Sequence, residues 1–180
     1  VAGAIGGAGT AIGANGLGPR LTKSLSGPSV SLGQTAALAV DMANPEGQRI
    51  IRQLAAQSDI VVENFKVGGL KRYGLDYDSL AKINPKLIYC SVTGFGQTGP
   101  YAHRAGYDFV LQGMGGLMSI TGEADGEPMR AGVALIDVMT GLHAVIAIEA
   151  AIIERARSGL GQHLDLSLLD VGVSTMANQA

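Results

Sequence analysis

The chain has 180 residues, 47% of them apolar and 16% charged, a balance that describes a globular chain with length for one sizeable core. A formal charge of −2 without a sustained Lys/Arg run argues against nucleic acid or an anionic membrane surface as the main partner. The single cysteine, Cys90, excludes an intrachain disulfide framework and fits a reducing compartment such as the cytoplasm.

Residues 1–35 are rich in Gly and Ala and keep neither a strand nor a helix period, which predicts loop or poorly ordered chain. They also lack the basic start of a secretory signal. The chain opens on Val1 and stops at "STMANQA" inside a helical pattern, so a fragment of a longer protein is expected, with residues 36–180 as its folded part. "NPEGQRIIRQLAAQ" predicts an amphipathic helix, with Asn44 as N-cap, Pro45 as first helical residue and Ile50, Ile51, Leu54 and Ala55 as its apolar stripe. "DIVVEN" (59–64) reads as a short buried strand, and "GGLKRYG" and "DYDSLAKIN" as short helices, the second stopped at Asn84-Pro85. "KLIYCSVTGF" (86–95) is a second β-rich run, and "DFVLQGMGGLMSI" a helix interrupted by glycine. A long helix over about 137–157 closes at Gly159, and "HLDLSL" then alternates with Leu164, Leu166 and Leu168 on one face. This rhythm predicts an α/β, Rossmann-like layered fold with a largely parallel sheet.

Between Arg130 and Glu149 nearly every residue is apolar or small, yet Asp137 sits near the start of the run. Asp137, Thr140, His143 and Glu149 interrupt the stretch, so no membrane-spanning helix is expected there. A carboxylate in such a setting needs compensation or a use. As an N-cap, Asp137 would accept from the N–H of Met139 or Thr140 and meet the positive end of the helix dipole. The same geometry keeps a carboxylate ionised in apolar surroundings, as a nucleophile or base requires, and Gly141 one turn on leaves that face open. On pattern alone the cap is favoured.

Other motifs are weaker. "GFGQTG" (94–99) satisfies G-x-G-x-x-G, but no helix pattern follows it and no acid stands at the ribose distance; a glycine-rich turn or substrate-side loop is the better reading. His103, His143, His163 and Cys90 lack metal-ligand spacing and read as surface or satisfied core residues. Asn64 and Phe65 fall at the C-terminal end of a predicted parallel strand, with Lys66, Lys71 and Arg72 close behind. Amide, aromatic ring and cations together suit an anionic ligand carrying a planar ring, although a solvated basic helix beside a buried Phe fits equally well.

The segments "NPEGQ", "DIVVENFKVGGLKRYGLDY", "NPKLIYCSVTGFGQTGPYA", "AGYDFVLQGMGGLMSITGE", "GVALIDVMTGLHA" and "SGLGQHLDLSLLD", running from about Asp41 to Asp170, resemble in series the class III CoA-transferases. That family includes formyl-CoA and carnitine CoA-transferases, with α-methylacyl-CoA racemase as a relative. The resemblance implies that Asp137 is the catalytic aspartate, attacking an acyl-CoA to form an aspartyl mixed anhydride and free CoA. It also implies that Asn64, Phe65, Lys66, Arg72, Ala105, Gly106, Tyr107 and Asp108 line the CoA site. Coenzyme A would be a substrate, with a carboxylic acid as the second and no permanently bound cofactor. The racemases carry His where this chain has Tyr107, a poor base at neutral pH, so the resemblance favours transfer over racemisation. Family members are about twice as long as this chain and form interlocked dimers. Here Ala43 stands in place of a Lys that contacts CoA. A truncated, non-catalytic CoA-binding module therefore stays open beside the enzyme.

Overall fold

The structure, a computed structural model, describes residues 2–5 and 38–179. Four strands form one parallel sheet in the order β1 (Ala2–Ile5), β2 (Ile60–Glu63), β3 (Ile88–Thr93), β4 (His163–Ser167). Between them run α1 (Pro45–Gln57), α2 (Tyr77–Ile83), α3 (Asp108–Met114) and α4 (Leu135–Ser158), and α5 (Leu168–Thr175) follows β4 directly. The expected α/β layering with a parallel sheet is what forms. The expectation of loop over 1–35 fails for Ala2–Ile5, whose backbone pairs with Ile60–Glu63. An edge strand needs only its backbone donors and acceptors met on one side, so weak side-chain periodicity does not prevent it. The rest of that segment lies outside the described residues.

Local chemistry accounts for the helices. Asn44 caps α1, its Oδ1 accepting from the Glu46 N–H at 2.9 Å, and Pro45 supplies the first helical residue. Gly47 is required for close approach, because a Cβ there would lie 2.0 Å from the Asp41 carbonyl oxygen. Helix α2 ends at Asn84, before Pro85, as its sequence predicts. Helix α3 stops at Gly115, and the left-handed Gly116 (φ 92°) turns the chain into a 3₁₀ turn over Leu117–Ile120. Helix α4 ends on the left-handed Gly159. "HLDLSL" differs from expectation at its end, since Leu168 starts α5 instead of extending β4.

The alternation of strand side chains builds the two faces. Val61 and Tyr89 pack with Ile51, Leu54, Leu75 and Leu80 from the α1/α2 layer, and the Tyr89 hydroxyl donates to the Leu75 carbonyl at 3.0 Å. Ile60 and Ile88 face the other way, against Ala151 and Ile148 of α4. Full burial of such side chains contributes roughly 1.5–3 kcal/mol each, which makes this sandwich the main cohesive element. A third cluster joins α3, α4 and α5 through Leu111, Ile136 and Leu168. Despite its polar interruptions, α4 is long and apolar enough to cross a bilayer by length and composition, with a mean hydropathy of 1.8. One stripe of it packs on the sheet and α5, while Val138, Leu142, Val145, Ile146 and Ile153 are exposed.

Candidate functional site

A cavity of about 720 Å³ opens at the C-terminal ends of β2 and β3, on the α4 side of the sheet. That is where open parallel sheets hold ligands. Val62 and Val92 form its floor, and Asp137, Thr140, Gly141, Ala144 and Ile148 form the α4 wall. The segment 64–67 after β2 and the segment 102–108 before α3 supply the rest.

Glu63, the last residue of β2, anchors the first of these segments. Its carboxylate accepts from the Phe65 N–H at 2.8 Å and is hydrogen-bonded to Ser91, its cross-strand partner. The side chain is buried, and desolvation holds its pKa above the ordinary carboxylate value against the opposing effect of these bonds. Ser91 Oγ continues to His163 Nε2 at 2.8 Å, so three strands are linked through side chains beneath the loop. The second segment is set by two glycines. A Cβ on Gly94 would lie 2.5 Å from the Cα of Gly106, so only this pair lets the chain before α3 cross the end of β3.

Asp137 is not the cap of α4. The helix begins two residues earlier than predicted, with Ala134 at the cap position, which puts Asp137 third in the first turn. An Ala cap has no side chain to satisfy the free N–H groups there. The acceptor comes from α3 instead: Asp108 Oδ2 accepts from the Asp137 N–H at 2.9 Å. With the cap supplied from elsewhere, the Asp137 carboxylate faces the cavity. Nor is it buried, as its apolar neighbourhood in sequence suggested, because the head of α4 lies at the cavity edge and nothing stands within 4 Å of a Cβ on Gly141 one turn on. Partial desolvation, and secondly the charge of Asp108, raise its pKa above the ordinary aspartate value.

The expected site residues are largely brought together. Asn64, Phe65, Lys66, Ala105, Gly106, Tyr107, Asp108 and Asp137 all line this one cavity. Arg72 does not: it lies in a 3₁₀ turn over Lys71–Tyr73, with its guanidinium 4.6 Å from the ring centroid of Tyr73. Gly68, at φ 73°, redirects the chain between Lys66 and Arg72. Ala43 is also outside the lining.

Among the ionisable residues of the lining two were missed, His103 and Arg104. Arg104 sits over Tyr101 at 4.3 Å, and the readable signal was two bases in "PYAHRAG" immediately after the glycine loop. "GFGQTG" is followed by turns, not a helix, and the Gln97 N–H donates to Asp165 at 2.8 Å. Gly94 alone of that motif lines the cavity. His143 bonds the Met139 carbonyl within α4, and Cys90 is buried with its thiol pushed up to about 11 by desolvation, both as read from sequence.

A family model described as CoA-transferase family III matches residues 30–180. A succinate–glutarate CoA-transferase from Agrobacterium fabrum is 59% identical over 143 residues, covering 79% of this chain and 36% of that protein. The human succinyl-CoA:glutarate CoA-transferase is 45% identical over 144 residues, covering 80% and 33%. The crystal structure of a CAIB/BAIF family protein from Brucella suis superposes with a TM-score of 0.77 at 59% identity, covering 78% of this chain and 37% of that one. This chain thus spans about a third of the length of the curated relatives it matches. With the family model matched across nearly all the described residues, the chain belongs to CoA-transferase family III.

Proposed function

We propose that the protein carrying this chain moves CoA between an acyl-CoA thioester and a carboxylic acid, with Asp137 as nucleophile. The observation that carries the reading is the Asp137 carboxylate at the edge of a 720 Å³ cavity, released from capping by Asp108 and faced by the open Gly141. A carboxylate oxygen of Asp137 attacks the thioester carbonyl carbon, the C–S bond breaks, and CoA leaves as thiolate from a mixed anhydride. The thiolate then attacks the Asp137 carbonyl, expelling the donor acid and leaving an aspartyl-CoA thioester. The acceptor carboxylate attacks that carbonyl in turn, forming a second anhydride and freeing the thiolate. Attack of the thiolate on the acceptor's acyl carbon releases the new acyl-CoA and regenerates Asp137. Each step keeps the thioester's energy from water.

Asn64, Phe65, Lys66 and the 105–108 segment bind CoA in this reading, with Lys66 and Arg104 supplying positive charge for its phosphates. At least one of the acids exchanged is dicarboxylic, a reading supported by relatives named for succinate, glutarate and oxalate. Tyr107, 66% exposed on the cavity lining, favours transfer over racemisation because its hydroxyl is a poor base at neutral pH. The intact protein is read as a cytoplasmic interlocked homodimer, in which the exposed apolar stripe of α4 is covered.

The test is mass spectrometry of the intact protein after mixing with succinyl-CoA. An adduct on the peptide containing Asp137 is expected, and Asp137→Ala should abolish exchange while CoA still binds. Exchange by that variant at near wild-type rate sinks the nucleophile assignment. CoA binding without any turnover by the wild type leaves only a CoA-binding module.

A further inference from the structure

Gln112 is 1% exposed, sits one turn after Asp108 on α3, and does not line the cavity. A buried amide is costly unless satisfied, and this one is engaged on both ends. Its Nε2 donates to Asp108 Oδ1 and to the Val133 carbonyl at 3.2 Å, and its Oε1 accepts from the Ala131 N–H at 2.8 Å. The other oxygen of Asp108 accepts from the Asp137 N–H. Both oxygens of that carboxylate are therefore pinned, one by Gln112 and one by the first turn of α4. The chain entering α4 is held by the same amide, at Ala131 and Val133. Two separate fastenings of the helix head thus meet in one side chain.

We propose that Gln112 is the positioning residue of this site: its amide holds Asp108 and the 131–133 segment, and through them aims the Asp137 carboxylate into the cavity. The inference rests on Asp137 as nucleophile. Loosening the head of α4 leaves the CoA-facing segments 64–67 and 102–107 in place and the Asp108 backbone fixed at the start of α3, so the chemical step suffers far more than binding does. A misplacement of about 1 Å at a reacting group costs on the order of a hundredfold in rate.

The experiment uses the intact protein with Gln112→Glu, which keeps the acceptor for Ala131 but cannot donate when ionised, and Gln112→Met, which keeps only the length. The rate of adduct formation on Asp137 at saturating succinyl-CoA should fall about tenfold to a hundredfold, with the CoA dissociation constant within about threefold of wild type. A merely structural role lowers the melting temperature but leaves the adduct rate unchanged below it. An adduct rate within about twofold of wild type in either folded variant overturns the inference and leaves Asp137 as nucleophile untouched. Wild-type protein that forms no adduct overturns the nucleophile reading and this inference with it. Hydrogen exchange on the wild type keeps the question decidable if neither variant folds: the Gln112 side-chain amide and the Asp137 N–H should both be protected, and free exchange of either overturns the inference.

Discussion

Gly94 and Gly106 touch backbone to backbone: a Cβ on the first would stand 2.5 Å from the Cα of the second and 2.8 Å from its nitrogen. This contact lays the 105–108 segment across the end of β3 and so creates one wall of the cavity. Gly94→Ala should therefore destabilise the fold by about 1–3 kcal/mol in urea unfolding and weaken CoA binding, because backbone cannot move aside as a flexible side chain can. Gly141→Ala is the contrasting case. Its Cβ meets nothing within 4 Å, so the variant should be about 0.5–1 kcal/mol more stable, yet slower with thioester substrates. Equal stability losses in both would refute this account of the wall.

Removing the charge of Asp108 should move the acid limb of the kcat/KM profile. Partial desolvation first, and the Asp108 charge second, raise the Asp137 pKa, and transfer needs the ionised form. In Asp108→Asn the second cause disappears, so Asp137 ionises at lower pH and the acid limb shifts down. A limb that stays or climbs contradicts the electrostatic link between the two carboxylates.

Glu63 predicts a pH dependence of stability. Its folded pKa lies above the ordinary 4.5 through burial, so its contribution is present below that pH and is lost as pH rises through the raised pKa. Glu63→Gln keeps an oxygen for the Phe65 N–H and cannot ionise. Thermal melts should show the variant gaining on wild type as pH rises from about 4.5 toward neutrality. A constant difference between the two curves would mean the carboxyl is not shifted upward.

Lys66 and Arg72 separate a cavity residue from a neighbour in sequence. Charge-assisted hydrogen bonds contribute about 1.5–3 kcal/mol, so Lys66→Ala should weaken CoA binding about tenfold in calorimetry. Arg72, stacked on Tyr73 away from the lining, should change it by less than about twofold when replaced by Ala. The opposite ranking would relocate the CoA site.

Much of this was legible along the chain because its causes are local. The Asn44-Pro45 start of α1, the stop at Asn84-Pro85, the left-handed Gly159 and the apolar runs of β2 and β3 each act over a few residues, where sequence spacing is spatial spacing. Asn64, Phe65 and Lys66 were readable for the same reason, since a strand's end announces which residues follow it into the crevice. Arg72 stands outside this lining, and the one glycine in the left-handed region that turns the chain between it and Lys66 carries no signal of direction in the sequence.

The cap of α4 illustrates the other kind of fact. The sequence by itself determined that an acid would stand at the head of a long apolar helix, near a glycine that opens the face. It could not determine whose oxygen would cap that helix, because the acceptor is 29 residues away on α3. Only the tertiary structure decided that Asp108 takes the role and leaves the Asp137 carboxylate at the cavity, since a long-range hydrogen bond depends on packing that no local pattern encodes.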